Sequence, residues 1–84
     1  MTASRELALL QPLAESEPFG LPKKALFAEM NTRLTTHRVI THGDFDLLLR
    51  ESESKKRILS VTAEDDVVVK ITPDGKLRLA ELNG

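Results

Sequence analysis

The spacing of the apolar residues changes once along this 84-residue chain, at Arg57. Before this position, apolar residues recur every three or four residues, as they do on the buried face of a helix. After it, they alternate with polar residues, as in a strand with one buried face. The change predicts an α+β fold with helices first and a sheet second. At this length, without linkers, internal repeats or low-complexity segments, we expect one domain spanning residues 1–84.

The best-specified helix runs from Thr41 to Lys56. Thr41 is a suitable N-cap, and Asp44 three residues later fits a variant capping box. Acidic residues follow in the first turn and lysines in the last, which matches the helix dipole. One narrow face of this helix is expected to be buried, and it carries Phe45, Leu48, Leu49 and Ser52.

Two further helices are predicted before it, which gives a three-helix bundle. The first covers about Ala3 to Ser16, with Pro12 on its solvent-facing side. The second runs from Pro22 to Leu34, because proline suits the first helical position. Its expected buried side chains are Leu26, Phe27, Met30 and Leu34.

Three strands are predicted after Arg57, at Arg57–Thr62, Val67–Thr72 and Lys76–Leu82. The sequence Thr-Pro-Asp-Gly-Lys at 72–76 is typical of a tight hairpin turn, because proline sets the first turn residue and glycine supplies a positive φ. The fold class expected is therefore α+β, with a three-helix bundle followed by a three-stranded antiparallel β-meander.

The register of the first hairpin stays open at the sequence level. An odd-numbered loop near 63–66 would place Leu59 and Val61 on the same face as Val67 and Val69, which makes that face wholly apolar. A shift of one residue reverses the faces.

The order helix, helix, helix, hairpin resembles the winged helix-turn-helix superfamily. The resemblance implies that Pro22–Leu34 is the supporting helix and that Arg57–Thr72 forms the wing. It also implies that Thr41–Lys56 is the helix that DNA-binding members place in the major groove. The strand Lys76–Leu82 departs from this pattern. We expect it to take the edge position that a short strand between the first two helices often fills in this superfamily.

Composition excludes several classes of function. The chain has no cysteine, so disulfides, thiolate catalysis and cysteine-based zinc sites are excluded. No nucleophile with an adjacent base, no carboxylate pair in an apolar setting and no phosphate-binding glycine loop is present. We expect a protein that is not an enzyme and that binds no metal, cofactor or membrane. With no apolar run long enough for a signal peptide, a cytoplasmic location is expected.

Binding to nucleic acid would need local basic patches, because the formal net charge is −1. Lys23 and Lys24 fall in the first turn of the second helix, where free backbone N–H groups favour an anion such as phosphate. The alternative is that Glu15 or Glu17 neutralises these lysines, or that water solvates them.

A second basic patch is predicted on one face of the sheet, formed by Lys70, Lys76 and Arg78 with Lys70 opposite Arg78. An anionic partner would relieve this repulsion between like charges, although charges also protect sheets from aggregation. The acidic residues 64–66 at the first turn of the wing would repel DNA.

Two functions follow as alternatives. The leading one is a noncatalytic DNA-binding or regulatory module that contacts double-stranded DNA through Lys23, Lys24, Arg38, His42, Arg50, Lys70, Lys76 and Arg78. The other is a protein-interaction or homodimerisation module that binds no nucleic acid and uses Leu47, an outward-facing leucine of the Thr41–Lys56 helix, together with a strand edge. Fold alone does not decide between them.

Overall fold

A computed structural model describes residues 2–34 and 40–83, and these form four helices and a three-stranded antiparallel sheet. The elements in chain order are α1 Thr2–Glu15, β1 Leu21–Pro22, α2 Lys23–Arg33, α3 His42–Ser54, β2 Ile58–Ala63, β3 Asp66–Ile71 and α4 Pro73–Asn83. The strands lie in the order β1-β3-β2. The predicted α+β class is confirmed. No helix in the described ranges is long and apolar enough to cross a membrane.

Helix α1 lies at the centre of the molecule and is buried on more than one side. It packs against α2, α4 and β3, so Leu9, Leu10 and Leu13 are at most 1% exposed. Pro12 lies inside the helix and is buried. The expectation that Pro12 faces solvent is therefore wrong, because three packed elements leave α1 little of the exposed face that a simple amphipathic helix would have.

Helices α2 and α3 follow the sequence closely. The Thr41 side chain caps α3 by accepting a hydrogen bond from the Asp44 backbone N–H at 3.2 Å. Phe45 and Leu49 of α3 and Met30 of α2 are buried in the common core. The Thr41 cap and the buried faces confirm that both helices exist.

The ends of the two helices differ from the prediction. Pro22 belongs to β1 and is the N-cap of α2, so the first helical residue is Lys23. Helix α3 ends at Ser54 with Lys55 as its C-cap, so the predicted lysines do not lie in its last turn.

The predicted third strand is wrong, because residues 73–83 form α4. The Thr72 hydroxyl accepts a hydrogen bond from the Gly75 N–H at 3.0 Å, and the Thr72 carbonyl accepts one from the Lys76 N–H at 3.0 Å. Thr72 therefore acts as an N-cap and Pro73 occupies the first helical position, a favoured start for a helix. Leu79 is buried against the core.

The third member of the sheet is β1, which pairs with β3 through Leu21 opposite Val69. Strands β2 and β3 pair from Ile58 opposite Ile71 to Ala63 opposite Asp66, leaving a two-residue turn. This even-numbered loop puts Ile58 on the inner face and turns Leu59 outward. The odd-numbered register, which would have buried Leu59, is therefore not the one adopted. The sheet is thus β1 plus one hairpin and not a meander.

Gly75 allows α4 to approach the sheet closely. A Cβ atom at this position would overlap the Arg57 carbonyl oxygen and contact the Ile71 side chain. We expect Gly75→Ala to lower the free energy of unfolding by about 1–3 kcal/mol in urea denaturation, as overpacking does elsewhere. Gly43→Ala is the matched control. A Cβ at Gly43 meets nothing within 4 Å, so its effect should be neutral or stabilising, and equal losses at both glycines would contradict the account.

Candidate functional site

The start of α2 lies beside the first half of α3, and the two helices form one surface. Two of the predicted lysines, Lys23 and Lys24, lie on it. Lys23 Nζ is 2.9 Å from Asp46 Oδ1 on α3. Lys24 is exposed, and no described residue within 2–34 or 40–83 forms an ion pair with it. Lys23 is therefore neutralised by Asp46. Glu15 and Glu17, the partners considered from the sequence, bond to Arg33 and Lys76 instead.

His42 fixes the N-terminal end of α3 against α2. Its ring stacks on Phe27 with a centroid separation of 4.1 Å and an interplanar angle of 13°. Phe27 in turn meets Phe45 edge to face, with centroids 5.1 Å apart. These rings and the nearby lysines line a cleft of about 370 Å³ between the N-terminal ends of the two helices. The stack holds this surface in a defined shape.

Arg50 is exposed on α3 one turn after Asp46. It lines a depression of about 420 Å³ between α3 and the sheet, together with Lys23, Asp46, Leu49, Glu53, Ser60, Thr62 and Val67. Glu53 accepts a hydrogen bond from the Ser60 hydroxyl at 2.6 Å. The outward surface of α3 therefore mixes charges of both signs, as the sequence indicates.

The other predicted basic residues do not form one patch. Lys70 lies on the outer sheet face opposite Leu59. Lys76 and Arg78 belong to α4 and bond to Glu17 at 2.8 Å and Glu6 at 2.7 Å. The predicted basic sheet face is wrong, because the segment that would have carried two of its residues is helical. Arg38 lies outside the described residues.

Sequence reasoning missed a cluster around Glu6 of α1. Its carboxylate accepts hydrogen bonds from Arg78 Nε at 2.7 Å and from Arg57 Nη1 at 3.4 Å. The hydrogen bond from Arg78 lowers the pKa of Glu6. Burial opposes this effect, and the positive charges of Arg78, Arg57 and Lys55 lower the pKa further. No sequence signal indicates this cluster, because its members lie 51 and 72 residues apart.

Leu47 is 53% exposed, in the outward direction expected from the helical spacing. It lines shallow grooves on α3 beside Arg50 and Lys55. Its role as an interface residue stays a prediction. Leu59, Val61 and Leu77 are also exposed. Sequence reasoning missed them because the register of the first hairpin stays open at the sequence level and because a strand is predicted where α4 lies.

The site offers no constellation for a metal ion. Within the described residues, no three His, Cys, Asp or Glu side chains are grouped closely enough to hold one. The predicted contacts that do come together, Lys23, Lys24, His42 and Arg50, are suited to binding through charge and hydrogen bonds.

Comparison with known proteins supports one assignment of the fold. No protein-family model and no curated protein matches the sequence. Among solved structures, the chain is similar to F93 from STIV, a winged-helix DNA-binding protein, with a TM-score of 0.75 and 25% sequence identity. The match covers 92% of this chain and 80% of that one. The chain therefore has the winged helix-turn-helix fold that its order of elements predicts.

Proposed function

We propose that this protein is a noncatalytic module that binds double-stranded DNA through α3 and the start of α2. The observation that carries the proposal is the similarity to a winged-helix DNA-binding protein over 92% of the chain. In this fold, the second helix of the helix-turn-helix enters the major groove. Here that helix is α3, and its side chains His42, Leu47 and Arg50 are exposed.

The start of α2 would hold a backbone phosphate. Pro22 occupies the N-cap position and makes no side-chain capping hydrogen bond, so no cap side chain occupies the first N–H groups of the helix. Together with the ammonium group of Lys24, these N–H groups suit a phosphate oxygen. The exposed ion pair of Lys23 with Asp46 contributes about 1 kcal/mol or less, so Lys23 is free to exchange Asp46 for a phosphate.

Arg50 and His42 would face the groove. A guanidinium group bonds well to guanine edges or to phosphate, and Asp46 beside it disfavours close phosphate contact. Arg38, outside the described residues, stays a predicted contact. Lys76 and Arg78 are left out of the proposed surface because both are ion-paired on α4, while Lys70 stays a predicted flanking contact.

A salt series tests the proposal and its residue assignment together. With two lysines assigned to phosphates, Lys23 and Lys24, the logarithm of the binding constant should fall with the logarithm of salt concentration at a slope of about −1.8. Fluorescence anisotropy with a labelled generic duplex between about 50 and 200 mM salt measures this slope. Lys24→Gln should reduce its magnitude by about 0.9.

Lys76→Gln is the matched control, since it removes the same charge from α4 and should leave the slope unchanged. Equal effects of the two substitutions would contradict the assignment of the surface. No binding even at low salt would contradict DNA binding itself. In that case, the alternative is a protein-interaction module, which the exposure of Leu47 supports. Loss of partner binding in Leu47→Asp would favour this alternative.

A further inference from the structure

Strand β2 forms an edge of the sheet, with its second side unpaired by any described strand. The Thr72 N–H donates to the Arg57 carbonyl at 3.1 Å, which identifies these two residues as a hydrogen-bonded pair. Because such pairs alternate along antiparallel strands, the backbone groups of Leu59 and Val61 point towards β3. Those of Ile58, Ser60 and Thr62 point out of the sheet.

This edge lacks the features that usually prevent strands from pairing. β2 contains no charged residue and no proline, and its pairing with β3 is continuous, without a bulge. Its outer face presents Leu59 and Val61, which are 53% and 39% exposed. Proteins that stay monomeric commonly protect an edge strand with charge, proline or a bulge.

Opposite charges lie at the two ends of this edge. Lys55 and Lys56 come before β2, and Glu64 and Asp65 follow it. None of the four forms an ion pair with a described residue. An antiparallel copy of the same strand would place the acidic end of each chain against the basic end of the other.

We propose that two copies of this chain associate by antiparallel pairing of their β2 edges about a two-fold axis at Ser60. In this register, Lys55 and Lys56, which precede β2, come next to the turn at Glu64 and Asp65 of the second copy. Leu59 lies opposite Val61, so four apolar side chains form one cluster on the outer face. The symmetry repeats every contact.

The pairing satisfies the outward backbone groups of Ile58, Ser60 and Thr62 and joins the two sheets into one. On the inner face, the Glu53 carboxylate near the axis accepts a hydrogen bond from Ser60 of its own chain. The pairing also brings a basic segment close to the acidic turn at Glu64 and Asp65, which is unsuited to DNA. It uses neither Lys24 nor Arg50, and it stands independently of the proposed DNA binding.

Sedimentation equilibrium over a concentration series tests the proposal. We expect the apparent mass to rise from 9.3 kDa towards twice that value. The double variant Glu64→Lys, Asp65→Lys and the double variant Lys55→Glu, Lys56→Glu should each self-associate at least about tenfold more weakly, because each places like charges opposite one another. Mixed together, they should form a heterodimer, because each basic end then meets an acidic one.

Lys24→Glu is the control, since it reverses a charge away from the edge and should leave dimerisation unchanged. Thr62→Pro is a second test of the pairing. It removes a backbone N–H that points out of the sheet and makes no hydrogen bond within it. This variant should stay folded by circular dichroism and lose the dimer. A protein that is monomeric at every concentration would overturn the proposal, as would charge variants that self-associate like the wild type or do not associate when mixed.

Discussion

Phe45→Ala is expected to lower the free energy of unfolding by about 3–5 kcal/mol, as truncation of a buried phenylalanine does in other cores. Phe45 is only 2% exposed and attaches α3 to the rest of the core. Its ring meets Phe27 edge to face, and this geometry adds stabilisation beyond the buried area. Because small domains are stable by only about 5–15 kcal/mol, much of the total would be lost.

Urea denaturation measures this loss, and Leu47→Ala is its matched control. Leu47 lies on the same helix but is 53% exposed, so its truncation should cost about 0.5 kcal/mol or less. The midpoint of the Phe45 variant should fall with an unchanged slope. Similar losses for the two variants would contradict the placement of α3 in this fold.

Glu6→Gln is expected to lower the free energy of unfolding by about 1–3 kcal/mol at neutral pH, the range for hydrogen bonds to charged groups. Glu6 has only 16% of its side chain exposed and lies between Arg57 and Arg78. Removing its charge takes the shared anion away from both guanidinium groups and leaves Arg78 only its longer contact with Glu81 at 3.4 Å. It also weakens the connection of α1 to α4.

The pH dependence of this loss identifies its electrostatic origin. The pKa of Glu6 is lowered in the folded protein, chiefly by the hydrogen bond from Arg78. Its stabilisation is therefore complete above the unfolded glutamate pKa of about 4.3 and is lost as the pH falls through the lower folded value. The difference between wild type and Glu6→Gln in urea denaturation should shrink as the pH falls below about 5.

Glu29→Gln is the control for this comparison. Glu29 also bonds to an arginine, Arg33, but its side chain is 43% exposed, so the loss should be about 1 kcal/mol or less. A difference between wild type and Glu6→Gln that does not depend on pH would mean that packing, and not charge, explains the role of Glu6.

Helices α2 and α3 and the β2–β3 hairpin could be predicted because their signals are local. The Thr41 cap and the buried positions of Phe45 and Leu49 follow from spacing along one helix, and the structure confirms them. The change of period at Arg57 marks the start of the wing within one residue. Each of these features depends on residues close together in sequence.

The C-terminal element could not be predicted because its signal fits two structures. Thr72-Pro73-Asp74-Gly75 is typical of a tight turn, and it also suits the start of a helix with a threonine cap and a proline at the first position. Leu77 and Leu79 alternate as in a strand, but only Leu79 is buried. Packing of this segment against α1 favours the helix over the strand.

Because a strand is predicted in place of α4, only part of the predicted site is correct. The sequence predicts helices that carry Lys23, Lys24, His42 and Arg50, and these residues lie on α2 and α3. It predicts a strand that carries Lys76 and Arg78, but both lie on α4, where Glu17 and Glu6 bind them. The ion pairs that neutralise Lys23 and Arg78 join residues distant in sequence, so spacing carries no sign of them.

Backbone amide chemical shifts, recorded while duplex DNA is added to the protein at low salt, test the proposed function most directly. We expect the largest changes at the start of α2 and along α3, including Lys24, His42 and Arg50, and small changes along α4. The changes should reverse when salt is added, because phosphate contacts depend on counterion release. Shifts that stay unchanged, or that change most around Lys76 and Arg78 on α4, would contradict the proposal that α3 and the start of α2 bind DNA.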